Sequence, residues 1–257
     1  MKIDPENLID NSLVDHTKLT IGNGEILSFY VDKTTGIELL DRYEFDGENN
    51  YRYVDTIKTI NLGHSKKYHE FIANLFTKLD PIIDLDFLEM NHNNGSMIDI
   101  YHISHSSHFR ENVIGQALTQ RTNSGGWWDI FWKDSPLIDT FNIDSDKNTI
   151  IHEIGHSLGL SHPFNDPSNT NITSKETIMS YNPSEDGWDT WFSENDLNAL
   201  IKIWGRENDS GAIKYDKEFK HYKFKKSEND YLIKTEIGYE DISSINELQF
   251  LDKIINL

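Results

Sequence analysis

The sequence predicts an α/β (α+β) fold with a small β-rich C-terminal appendage. Three observations carry this. Amphipathic helices and short apolar strands alternate through the first two hundred or so residues. One helix carries two histidines four residues apart, at positions 152 and 156. After Gly205 the pattern changes to alternating apolar and polar residues.

The elements follow in order. Residues 1–20 show no clear periodicity and read as an irregular N-terminal arm. Ile26 to Val31 reads as a strand, and residues 41–60 are polar and rich in Tyr, Asp and Asn, with no assignment. Residues 65–79 read as an amphipathic helix. Tyr68, Phe71, Ile72, Leu75, Phe76 and Leu79 recur at steps of three and four, and Pro81 follows the end. Asp84 to Met90, Met97 to Ile103 and Gly126 to Trp132 are candidate strands. Asp144 or Ser145 can cap a helix running to about Leu158. A further helix spans Ser193 to Trp204, with Ser193 and Asp196 near a capping box and Gly205 as its stop. The polar GRENDSGA stretch then separates a main domain, residues 21–207, from a β-rich module, residues 211–257.

Composition narrows the function. The chain has 257 residues, a net charge of −19 and no cysteine. Disulfides, thiolate metal sites and latency through a cysteine are therefore excluded. An acidic surface repels phosphate backbones, so no nucleic acid partner is expected. The same acidity can hold calcium loosely, which makes Ca2+ a candidate second cation. No apolar run approaches the about 18–20 residues that cross a bilayer. The MKIDPENLID start lacks the apolar region of a signal peptide.

Residues 152–162 read HEIGHSLGLSH. His152 and His156 lie one turn apart on one helical face, where two imidazoles can share one zinc. Glu153 follows the first ligand and can act as general base toward water at the metal. Gly159 permits the left-handed backbone that ends the helix and turns the chain back, so that His162 arrives as third ligand. A helix carrying two histidines and a glutamate by coincidence is the bland alternative to the five-residue string. The full eleven-residue string is far more specific.

This string resembles that of the metzincin zinc peptidases. The resemblance covers about residues 20–206 in order of elements, and is motif-specific at 149–163, 177–181 and 193–205. It implies a metzincin-type catalytic domain with a twisted, mixed, mostly parallel sheet and an active-site helix. It also implies a Met-containing turn beneath the zinc, for which TIMSY at 177–181 offers Met179. Tyr181 would then be the tyrosine that serralysins and astacins place near zinc, a switchable fifth ligand that moves to the oxyanion. Pro163 directly after His162, and the SENDLNALIKIWG helix, are similar to the serralysin-like branch. The glycine- and aspartate-rich calcium-binding repeats of serralysins are absent. The expected activity is hydrolysis of a protein or peptide substrate by a zinc-dependent endopeptidase acting as a monomer. The chain end is similar to export-type terminal modules, which would make the protein secreted without a signal peptide; the composition is equally compatible with the cytoplasm.

Two other stretches stand out. His102, His105 and His108 could bind a second metal, although a solvated strand end explains them better. His16, His64, His69, His92 and His221 read as scattered surface residues. The resemblance makes SGGWWDIFWKD, residues 124–134, the antiparallel edge strand above the cleft, against which extended substrates add by β-augmentation. Trp127, Trp128, Phe131 and Trp132 would divide between subsites and core. A zinc-holding but non-proteolytic effector is the alternative function, and the intact Glu153 argues against it.

Overall fold

The computed structural model describes residues 1–22, 24–45, 51–135, 142–207, 212–215, 217–226, 231–235, 238–242, 245 and 247–256. The centre of the fold is a five-stranded sheet of order β4 (Asp86–Met90), β1 (Ile26–Val31), β5 (Ile98–Ser106), β7 (Gly125–Trp132) and β6 (Gly115–Thr122). The first four run parallel, and β6 pairs antiparallel with β7. Beyond the part of β5 that pairs with β1, a long hairpin of β2 (Gly36–Phe45) and β3 (Tyr51–Asn61) adds antiparallel to its last residues. Of residues 41–60, unassigned from sequence, the described 41–45 and 51–60 thus belong to these two strands. The hairpin's polarity matches its exposure: Asp41, Glu44, Arg52, Asp55 and Lys58 stand in solvent.

Helix α2 (Lys66–Leu79) forms where its periodicity predicts. Ser65 caps it by accepting from the Tyr68 N–H, and Ile72, Leu75, Phe76 and Leu79 are buried. Helix α3 (Asn142–Ser157) begins earlier than expected, so Asp144 and Ser145 lie inside its first turn rather than capping it. Helix α4 (Glu194–Trp204) has a complete capping box between Ser193 and Asp196. One core joins β1, β5 and β7 to α2, α3 and α4.

Two further expectations are overturned. Residues 1–20 are not an irregular arm. A short 3-10 turn at Pro5–Leu8 leads into helix α1 (Asn11–Ile21), which Asp10 caps by accepting from Ser12 and Leu13 N–H. Ile3, Leu8 and Val14 are buried. The helix escapes detection because its apolar face is thin and partly built from β-branched Val14, Thr17 and Ile21. The second correction concerns Gly126 to Trp132. This strand is flanked by β5 and β6 and is not the edge, and Trp128, Phe131 and Trp132 are at most 1% exposed. The antiparallel edge strand is β6, whose weak alternation gave no strand signal.

The C-terminal segment is β-rich, as expected. It holds two three-stranded sheets: β9 (Lys223–Lys226), β10 (Tyr231–Lys234) and β11 (Tyr239–Asp241); and β8 (Ala212–Lys214), β12 (Glu247–Gln249) and β13 (Ile254–Asn256). Ile233, Ile242, Ile245, Leu248 and Phe250 form its separate core. Residues 208–211 of the GRENDSGA stretch lie outside the described residues.

Candidate metal centre

Helix α3 places His152 and His156 on one face, and the chain reverses at Gly159, whose φ is +97°. A β-carbon there would also lie 2.5 Å from the Val14 side chain, so packing of α1 as well as backbone sign demands glycine. The reversal is held from the N-terminal segment. Asp10 N–H donates to Gly159 O at 3.0 Å, Ser161 N–H to Leu8 O at 2.8 Å, and Thr17 Oγ1 to Ser157 O at 2.7 Å. His162 is thereby brought beside the helix-borne pair.

The ligand atoms of His152, His156 and His162 all lie within 4.8 Å of one another. No other group of His, Asp or Glu side chains converges in this way among the described residues. His152 Nδ1 donates to Ile178 O and His156 Nδ1 to Leu160 O, both at 2.9 Å. With the protons on Nδ1, the Nε2 lone pairs of both rings are left for a cation. The Nε2 atoms of His152 and His162 approach to 3.2 Å, close enough for both to serve one cation. Burial lowers the pKa of all three imidazoles, that of His162 to about 4. The rings are therefore neutral, as metal ligation requires. The residues fit a zinc site.

Glu153 is buried next to this triad. Burial pushes its carboxyl up to about 8, and a hydrogen bond from the Ala117 backbone N–H opposes the shift. Edge strand β6 thus passes directly over Glu153. A β-carbon on Gly115 would collide with the Glu153 carboxylate and with Thr149. Gly115 and Ala117 were missed from sequence; the signal was two small residues in a polar stretch, unreadable without knowing what lies beneath.

Met179 is fully buried under α3. A β-carbon on Gly155 would lie 2.9 Å from its sulfur, so the glycine inside the histidine motif lets the methionine turn pack against the helix. That turn is tied down by Asp196, a second residue whose role sequence reading understated. Its carboxylate accepts from Thr177 Oγ1 at 2.5 Å and Ile178 N at 3.0 Å, while also closing the α4 capping box. Ile178 O in turn orients His152. Tyr181 stands in the open, 54% exposed, with its ring centroid 5.0 Å from that of His162 and 5.4 Å from that of His152.

The other histidines are not gathered into a second centre. His102 is buried rather than solvated. Its ring stacks on Trp132 at 3.8 Å, with Nε2 3.0 Å from Asp134 Oδ1 and Nδ1 3.2 Å from Gly63 O. His105 and His108 are exposed. His64 is not a loose surface residue either, because Trp132 Nε1 donates to its Nε2 at 2.9 Å.

The arrangement is that of a zincin: two helix-borne histidines, a third from the return turn, and a carboxyl beside them. Residues 65–163 match the family model of Metallo-peptidase family M12B, Reprolysin-like. The match runs from the cap of α2 to the residue after His162, less than half of the chain. It supports a metzincin-type zinc metallopeptidase and zinc-dependent peptide hydrolysis, and does not single out the serralysin-like branch. No curated protein matches the chain. No helix among the described residues is long and apolar enough to cross a membrane.

Proposed function

We propose that the chain is a zinc-dependent endopeptidase in which His152, His156 and His162 hold the metal and Glu153 moves the proton. The convergence of three neutral imidazoles beside a buried carboxyl and an exposed Tyr181 is the observation that carries the reading. Bound zinc supplies Lewis acidity toward water and toward the scissile carbonyl. Glu153, held beside the three histidines, takes a proton from the attacking water as its carboxylate and returns it to the leaving amine nitrogen. The Tyr181 hydroxyl donates to the carbonyl oxygen as negative charge develops there. The placement of Tyr181 two residues after Met179 supports the serralysin-like branch. An extended substrate adds to the open edge of β6, which carries it across Glu153.

The test is metal analysis combined with turnover. The protein should hold about one zinc per chain, lost to chelators together with hydrolysis. Glu153→Gln should keep the zinc and lose about 10²–10⁴ of turnover, the usual worth of a general base. Tyr181→Phe should keep zinc and lower kcat more than it changes KM, since its donor acts on the transition state. Full activity in Glu153→Gln would show that another group activates water.

A further inference from the structure

A cavity of about 370 Å³ lies along β6 from Ala117 to Arg121, walled on its far side by the β2–β3 hairpin and by His16 of α1. Ala117 directs its N–H to Glu153 and hence away from β7. By the two-residue alternation of an antiparallel pair, the backbone groups of Thr119 and Arg121 face the same open side. A peptide added to β6 would run through this cavity.

The charges around it are unequal in availability. Arg42 is occupied by Asp55 at 2.7 Å and by Glu44. Arg121 has no carboxylate partner among the described residues, in a chain with 43 acidic and 24 basic residues. Its guanidinium is held over the Tyr51 ring at 4.7 Å to the centroid. Stacking fixes the plane of the fork and leaves its N–H edges unspent. His16 and His108 also line the cavity.

We infer that this cavity is a receptor for an acidic side chain of the bound peptide, anchored by Arg121. The inference rests on the peptidase reading and names its substrate class: chains carrying Asp or Glu on the N-terminal side of the cleaved bond. The side follows from strand direction. An antiparallel addition, the more stable ladder, sets the N-terminal part of the substrate against the later residues of β6. Arg121 lies four residues beyond Ala117, about 13 Å along the strand, and on the same face. The acid therefore falls roughly three to five residues before the bond.

Cleavage of a peptide library by the zinc-loaded full chain, read by mass spectrometry, tests this. Asp and Glu should be enriched over Asn and Gln in that window by about tenfold, the worth of one charge-assisted hydrogen bond. Arg121→Gln should abolish the enrichment, bringing kcat/KM of an acidic peptide down to that of its Asn or Gln counterpart. Absence of enrichment, or enrichment that survives Arg121→Gln, overturns the inference while leaving the peptidase reading intact. A second measurement does not need hydrolysis: titration of zinc-loaded Glu153→Gln protein with a Glu-containing decapeptide and with its Gln counterpart. Equal affinities overturn the receptor. A preference for the acidic peptide here, together with zinc-loaded wild-type protein that cleaves no peptide, would retain the receptor and sink the peptidase reading.

Discussion

The N-terminal segment, residues 1–22, shares the main core, whereas the C-terminal segment, residues 212–256, is built around a core of its own. Ile3 and Leu8 pack among the residues of β1, α2, α3 and α4. Thr17 accepts from the indole of Trp128 at 3.0 Å and donates to the end of α3. Asp10, Leu8 and Thr17 together grip the turn that delivers His162. Just before the C-terminal segment, Arg206 still bridges to Ile83 of the main body. None of the segment's buried residues belongs to the main core. The contrast teaches that nearness to the centre is a matter of hydrogen-bonding to the return turn. A three-histidine cluster spread over eleven residues of chain still needs distant backbone to hold its third histidine.

The largest expected effect comes from breaking the contrast at both ends. Removing residues 1–22 should abolish cooperative folding and zinc binding, since it strips Ile3, Leu8 and Val14 from the core and frees Gly159 and Ser161. A chain ending at residue 209 should bind zinc and cleave peptides with the same turnover per zinc. Circular dichroism, zinc stoichiometry and turnover on one unstructured peptide decide both. A folded, zinc-loaded but inactive shortened chain would show that the C-terminal segment shapes the cleft.

A smaller effect sharpens the contrast through the charges of the main core. Asp99 and Asp129 face each other across β5 and β7. Burial pushes their carboxyls to about 8 and about 7, with Ser96 and Gln120 donating against the shift. Asp32 and Glu38 add to the repulsion around Asp99. Both pKa values are raised above the unfolded value of about 3.8, so the folded state binds more protons. Their contribution to stability is complete below pH about 4 and is lost as pH rises through 7 to 8. Asp129→Asn removes one of the two titrations. Its melting temperature relative to wild type should climb by on the order of several degrees between pH 5 and pH 8.5. The climb should be the same with and without the C-terminal segment. A flat difference across pH would mean that the pair does not hold protons in the native state.

The smallest effect lies beneath the three histidines. Met179→Leu is nearly isosteric and keeps an apolar contact over Gly155, so it should cost less than about 1.5 kcal/mol. Denaturant melts of the full-length and shortened chains should show equal losses, because Met179 belongs to the main core alone. Gly155→Ala at the same contact is the sterner change, since its methyl would meet the methionine sulfur at 2.9 Å.

The three converging histidines, the helix that carries two of them, the glycine that ends it, the span of α2 and the capping box of α4 were legible in the sequence alone. Each depends on residues within a turn or two of one another, and helical period and cap chemistry act over that range. Other features were decided by tertiary structure. Helix α1 is stabilised more by docking on Gly159, Ser157 and Trp128 than by its own pattern. Whether β6 or β7 is the edge depends on pairing with β5, a strand from earlier in the chain. The aromatic run of Trp127 to Trp132 looks like a binding surface in one dimension and is mostly core in three. Asp196 and Gly155 reveal their second roles only when the methionine turn folds under α3. Local pattern reports what a residue prefers beside its neighbours, whereas burial, edge position and ligand orientation are set by whichever distant backbone arrives to share the hydrogen bonds.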